Sequence, residues 1–302
     1  MENTILFGNG LNRLSDKNIS WSHLLDIIKG SRKFNDSLLP NTMIYERIIL
    51  ERNDTHDLFF DEFEVKKEIA KLMSEIEPNS IYESLFKLNV QNYLTTNYDY
   101  GYLDSIKKMK EITMPIHEFS TEDVYSIRRL KNIRNTSERR KHFWQIHGEI
   151  RKPATIMLGL DHYCGSIGKI DSYIKGWYKY VIEGKPIEEP SIQDKFKNNS
   201  FNNSSWVELF FNSNIHIIGL SLDYTEIDLW WILNKRARMK RSVLHKNYIK
   251  NEIIFYCTSI EDQKKELLES LDVKVQIDEL SKTKTKYKDY YKNLIAQFER
   301  KF

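Results

Sequence analysis

An α/β fold, with a parallel sheet covered by helices on both faces and a helical insertion, is what this sequence predicts, and three observations lead there. Short apolar runs ending in glycine or polar residues alternate with segments of helical periodicity along most of the chain. Only 11 glycines and 6 prolines punctuate 302 residues, which suits long regular elements. A hydrophobic share of 40%, with 13% aromatics, can fill a sizeable core in one large or two ordinary domains.

The first apolar run, Thr4-Ile5-Leu6-Phe7, ends in Gly8-Asn9-Gly10 and reads as a buried strand entering a tight loop. Ser20-Trp21-Ser22-His23 then opens an amphipathic helix at Leu24, Leu25, Ile27 and Ile28. Strand, glycine loop and helix make the first half of a nucleotide-binding βαβ unit. From about 41 to 88 apolar residues recur at helical spacing (Ile44, Ile48, Ile49; Val65, Ile69, Leu72, Met73, Ile76; Ile81, Leu85, Leu88), and no strand signal interrupts this helical excursion.

Val90 to Thr95 is the second strong strand candidate and runs directly into Thr96-Asn97-Tyr98-Asp99. Charge-rich sequence from 121 to 141 separates it from Phe143-Trp144-Gln145-Ile146, a strand stopping at His147-Gly148. Thr155-Ile156-Met157-Leu158 reads as a further strand, ending at Gly159, and a mostly helical stretch from about 161 to 211 follows, broken near Lys185-Pro186 and Glu189-Pro190. Asn214 to Ile218 is a strand entering Gly219-Leu220-Ser221-Leu222-Asp223, with a helix from about 225 to 238 behind it. A strand at 252–256, a helix at 260–271, a strand at 273–277 and a final helix complete the alternation of a Rossmann-like sheet, in which ligands bind outside the carboxyl ends of the strands.

Composition excludes several classes. A net charge of +3 is no polycation built to neutralise nucleic acid. No stretch approaches the roughly 18 apolar residues of a membrane helix, residues 1–7 lack the regions of a secretion signal, and the expected location is the cytoplasm, away from membranes. Cys164 and Cys257 cannot make a four-thiolate site, a lone disulfide does not suit a reducing compartment, and both read as buried small hydrophobes. The other histidines, His23, His56, His117, His142, His162, His216 and His245, show no ligand spacing, so no metal is expected.

The chemistry-bearing candidates lie at strand ends, and each has a plain structural reading beside the functional one. Gly8-Asn9-Gly10 offers close backbone approach and free amides to a pyrophosphate, yet the third fingerprint glycine is missing and a bare turn also explains it. Asn97 and Asp99 could serve a ligand or cap the next helix. His147 is either a base or a satisfied core or rim residue. Convergence favours function, because three separate strand ends bring Gly8/Gly10, Asn97/Asp99 and His147 toward one crevice. Two basic runs, Arg128 to Lys141 (with Arg129, Lys131, Arg134, Arg139 and Arg140) and Lys235 to Arg241, read as solvated faces rather than nucleic-acid contacts. Tyr173, Trp177 and Tyr180, with Ile170, Ile174 and Val181, form a stripe at helical spacing that signals core or an oligomer interface.

Taken in order, Gly8-Asn9-Gly10, Thr96-Asn97-Tyr98-Asp99, Ile146-His147-Gly148 and Gly219-Leu220-Ser221-Leu222 resemble the signature blocks of the sirtuin superfamily, and they span most of the chain. The nearest resemblance is to the sirtuin-like domain of bacterial antiphage defence proteins, including Thoeris-type effectors, which hydrolyse NAD. Trp21 with Leu24-Leu25, Asp161 with Tyr163, and Asp228 with Trp230-Trp231 add to it. The four-cysteine zinc module of protein-deacylating sirtuins is absent, Leu158-Gly159-Leu160 replaces their Phe-Gly-Glu block, and no Asp-Phe-Arg block follows Gly10. What the resemblance implies is a single sirtuin-like domain over 1–302, with insertions at about 41–88 and about 161–211, that keeps an NAD pocket without zinc and loses the peptide groove.

By the same resemblance Asn97 would bond the ribose or an ordered water, Asp99 would fix the nicotinamide amide, and His147 would act as base. Gly8, Asn9, Gly10, Asn12, Thr96, Gly219 and Ser221 would line the cofactor site, Asn12 standing where the family usually has serine. The implied activity is NAD glycohydrolysis that depletes NAD in antiphage defence, the rivals being an NAD-dependent deacylase and a non-catalytic nucleotide-sensing module. A homo-oligomer and a partner ATPase, nuclease or sensor protein of a defence operon are expected, because an ungated NAD hydrolase would kill its host.

Overall fold

The computed structural model describes residues 1–52, 57–107, 109, 112–119, 124–135, 140–243, 247–278 and 284–302, apart from the side chains of 112–119, 134, 135 and 284–286. Strand β1 (Glu2–Phe7) leads through the glycine loop to α1 (Trp21–Lys29), whose Ser20 caps the His23 amide. Helices α2 (Asn41–Leu50), α3 (Leu58–Met73) and α4 (Ser80–Lys87) precede β2 (Asn92–Thr95) and α5 (Gly101–Lys107). Strands β3 (Ile112–Phe119), β4 (Leu130–Asn135) and β5 (Arg140–Gln145) follow, then α6 (Leu160–Lys175), a small hairpin of β6 (Lys179–Ile182) and β7 (Lys185–Glu188), α7 (Ile192–Asn198) and α8 (Leu209–Asn212). The chain ends with β8 (Ser213–Ile218), α9 (Ile227–Arg241), β9 (Ile253–Cys257), α10 (Asp262–Ser270), β10 (Val273–Ile277) and α11 (Lys284–Lys301).

The sheet runs β10-β9-β8-β1-β2-β5-β4-β3. Its first six strands are parallel, with Leu6 facing Leu94 on one side and Ile217 on the other. The strand order reverses at β1, so the glycine loop sits at the switch point where open α/β sheets bind ligands. Side-chain alternation sorts β1 onto two cores. Leu6 packs with Ile215, Ile217 and Phe255 beneath α6, α8 and α9, while Ile5 and Phe7 pack with Tyr93 and Phe143 beneath α4, α5 and α11. Helices α1 to α3 close a third cluster around Ile48, Ile69 and Tyr98.

Several expectations change. The edge pair β3 and β4 is antiparallel and carries no apolar alternation in sequence, because β4 turns Lys131 inward to the Glu149 carboxylate. Residues 155–158 are not a strand: Pro153–Thr155 forms a turn of 3-10 helix, and Ile156 and Leu158 join the helical cluster beside Tyr98 instead of the sheet. The stripe from Ile170 to Val181 is not one helix, since Gly176 caps α6 at a positive φ of 76°, leaving Tyr173 in the core and Trp177 66% exposed.

Neither basic run is a solvated face throughout. Arg236 is buried against Asp272 and Asn251, and Arg129, Lys131 and Lys141 are buried as well. Cys164 is exposed on α6 and so is no buried hydrophobe, whereas Cys257 is half-buried and packs against the core. His56, His245 and Arg139, and the side chains of His117 and Arg134, lie outside the described residues. No helix among the described residues is long and apolar enough to cross a membrane.

Candidate active site

A cavity of about 350 Å³ crosses the carboxyl ends of β9, β8, β1 and β2, within the usual size of small-molecule sites. Tyr256 to Ser259 border it from β9, Gly219 to Asp223 from β8, Asn9 and Gly10 from β1, and Thr96 from β2. Trp21 and Tyr163 wall one side, and Tyr287, Tyr290 and Tyr291 of α11 another.

The glycine loop owes its composition first to its neighbour. Gly10 N donates to Gly219 O at 2.7 Å, and a Cβ on Gly10 would stand 2.6 Å from that oxygen. Gly219 itself holds a φ of 57°. Gly8 N donates to Ile218 O, so the amides of Gly8 and Gly10 tie two loops together and are not free for a pyrophosphate.

Of the expected residues, Asn9, Gly10, Thr96, Gly219 and Ser221 line the cavity, and Gly8, Asn12, Asn97, Asp99 and His147 are buried and do not line it. Asn12 is fully buried: its Nδ2 donates to Asp99 Oδ2 at 2.6 Å and its Oδ1 accepts from Tyr82. Asp99 also accepts from Gly101 N, which makes it the cap of α5, and burial raises its pKa to about 6. Asn97 is buried beside Tyr82, and among the described residues its Nδ2 meets no partner in full hydrogen-bond geometry.

His147 is a core residue, not a rim one, at 2% exposure. Its Nε2 lies 3.2 Å from Asp228 Oδ2, an ion-pair contact outside hydrogen-bond geometry, and Asp228 also accepts from Ser166 and Leu229 N. Burial works against the imidazolium, but the Asp228 carboxylate and then Glu226 outweigh it and hold the His147 pKa above its ordinary value. Tyr163 packs edge-on against the His147 ring, 5.4 Å between centroids, and presents itself to the cavity.

Glu226 was not legible as a site residue. It sits in the β8–α9 loop as the residue preceding α9, where a lone glutamate reads as an ordinary helix-start acid. Arg13, Asp223 and Glu226 are the charged side chains lining the cavity, and Glu226 is the buried one. Burial, reinforced by Asp228 and opposed by His147, raises its pKa to about 7. Tyr290 also lines the cavity, and its buried hydroxyl has no hydrogen-bonding partner among the described residues. Among the described residues no three His, Cys, Asp or Glu side chains converge as a metal site needs.

The arrangement supplies a trough of mixed polar and aromatic lining with a buried carboxyl, Glu226, on its wall. Such a trough suits a nucleotide-sized ligand and a reaction that moves a proton. Neither a protein-family model nor a curated protein matches this chain.

Proposed function

We propose that the chain is an NAD glycohydrolase, cleaving the nicotinamide–ribose bond, and that it depletes NAD in antiphage defence. The observation that carries the reading is the convergence of four distant sequence blocks, those around Gly10, Thr96, His147 and Gly219, on one cavity and the buried residues around it at the switch point of the sheet. The buried Tyr290 hydroxyl, which has no partner among the described residues, is the kind of group that a polar ligand satisfies. The defence role rests on the resemblance of those blocks to sirtuin-like NAD hydrolases.

Breaking this bond develops oxocarbenium character on the ribose, so the site must hold the substrate, position water and stabilise positive charge. Asn97 and Asp99 act without lining the cavity, Asp99 by fixing Asn12 and the start of α5. His147 acts through Tyr163 and Asp228. This reading invokes no zinc.

Incubating the purified protein with NAD should release nicotinamide without an acylated peptide, and Asn97→Ala should lower the rate by about 100-fold or more. NAD bound but never cleaved would favour a nucleotide-sensing module, and release only with an acylated peptide would favour a deacylase.

A further inference from the structure

The loop from Gly219 to Glu226 is held in a costly shape. Leu222, fully buried, adopts a φ of 51°, a left-handed conformation that strains a non-glycine residue. Asp223 N donates to Glu226 Oε2 at 2.9 Å, and among the described residues nothing bonds Glu226 Oε1. The loop thus fixes a buried carboxylate on the cavity wall with one oxygen uncommitted. Asp228 of α9 and His147 interact with it and with each other, and Tyr163, which lines the cavity, packs on the His147 ring. Asp223 of the same loop, Lys264 of α10, Tyr98 of the segment after β2 and Tyr163 of α6 are the other titratable groups that interact with it.

We infer that Glu226, and not His147, is the catalytic residue that meets the reacting ribose and takes the proton of the attacking water, with His147 and Asp228 as the positioning pair that interacts with it. The inference rests on the reading of the chain as an NAD hydrolase. The bond from ribose C1′ to the pyridinium nitrogen breaks, and its electron pair neutralises that nitrogen as nicotinamide leaves. The water oxygen bonds to C1′, and one water proton passes to the Glu226 carboxylate and from there to solvent. The products are ADP-ribose, nicotinamide and a proton. A carboxylate at this point also stabilises the oxocarbenium charge, which a protonated His147 does not.

Glu226 must be ionised to act, so the rate should rise with pH through about 7, the value to which burial raises its pKa. In Glu226→Gln, nicotinamide release should fall by about 100-fold and lose that rise, while Glu226→Asp should keep the rise at a reduced rate. Affinity for carba-NAD, an uncleavable analogue, should stay within about threefold in both variants, which a merely structural role would not preserve.

A second readout needs no turnover. A carboxyl whose folded pKa lies above its unfolded one binds more protons when folded, so stability falls as pH rises from about 4.5 to about 7. Glu226→Gln should therefore raise the melting temperature at pH above about 7 and lose this advantage near pH 5. If the wild type releases nicotinamide and Glu226→Gln keeps its rate and its pH rise, the inference is overturned alone. A wild type that binds NAD and releases none overturns the hydrolase reading, and this inference with it.

Discussion

His147 and Asp228 meet where neither side chain reaches solvent, and the cost of burying them is recovered only while both are charged. Removing one partner strands the other, so His147→Ala should lower stability by about 3 kcal/mol as well as activity. The pH dependence has a definite sign. Because the folded pKa of His147 is raised, its contribution is fully present below the unfolded value of about 6.5 and is lost as pH rises through the folded value. Chemical denaturation of wild type and His147→Ala should then show a stability gap that is widest near pH 6 and narrows above it. A gap that is flat or widens with pH would remove the charged pair from the account. This behaviour differs from that of a rim histidine, which sequence alone also allowed: an apolar run ending in His-Gly does not say whether the ring turns outward or toward a distant aspartate.

At the scale of elements, α11 does two jobs. Leu294, Ile295 and Phe298 seal the face of the sheet that carries Ile5 and Phe7, and one turn earlier Tyr287, Tyr290 and Tyr291 reach the cavity. The Tyr290 hydroxyl has no hydrogen-bonding partner among the described residues, so Tyr290→Phe should leave stability unchanged or slightly higher. If a bound dinucleotide satisfies that hydroxyl, the same change should weaken NAD binding about fivefold, equivalent to about 1 kcal/mol, in a titration of intrinsic fluorescence. Unchanged affinity would separate α11 from ligand recognition. The elements that sequence showed clearly were β1, β2, β5 and β8, because parallel strands covered on both faces bury apolar residues up to the point where the chain turns. It hid β4, where Lys131 points inward to an ion pair and so looks solvated, and it gave a false strand at 155–158, where apolar residues serve a helical cluster. The same rule divides the site: Asn9, Gly10, Thr96, Gly219 and Ser221 were legible because they follow strands. Glu226 was not, since only the fold of the β8–α9 loop brings it to the wall.

At the scale of the whole molecule, large apolar side chains stand exposed in two segments of the described residues. Leu38 is 95% exposed and Phe59 83%, with Leu50, Leu58 and Phe60 nearby in sequence, and Trp177 and Val181 project from the turn and hairpin after α6. Scattered apolar residues are ordinary on a monomer, but large aromatics exposed in two separate segments are the composition that interfaces favour. We propose that these surfaces hold a homo-oligomer, which also offers a means of restraining a cavity whose free activity would exhaust the cell's NAD. Closed symmetry would bury the same patch on each copy, and a trigger acting on the assembly could then release the site without entering it. Light scattering of the isolated chain should give a mass above that of a monomer, with weak NAD cleavage until a partner protein or a phage-derived signal is added. Phe59→Glu and Trp177→Glu, each placing a charge in one of the two patches, should identify which of them is buried by lowering the mass and raising basal cleavage together. A monomer that cleaves NAD at full rate on its own would remove both the assembly and the restraint, and would leave control of activity to the amount of protein made.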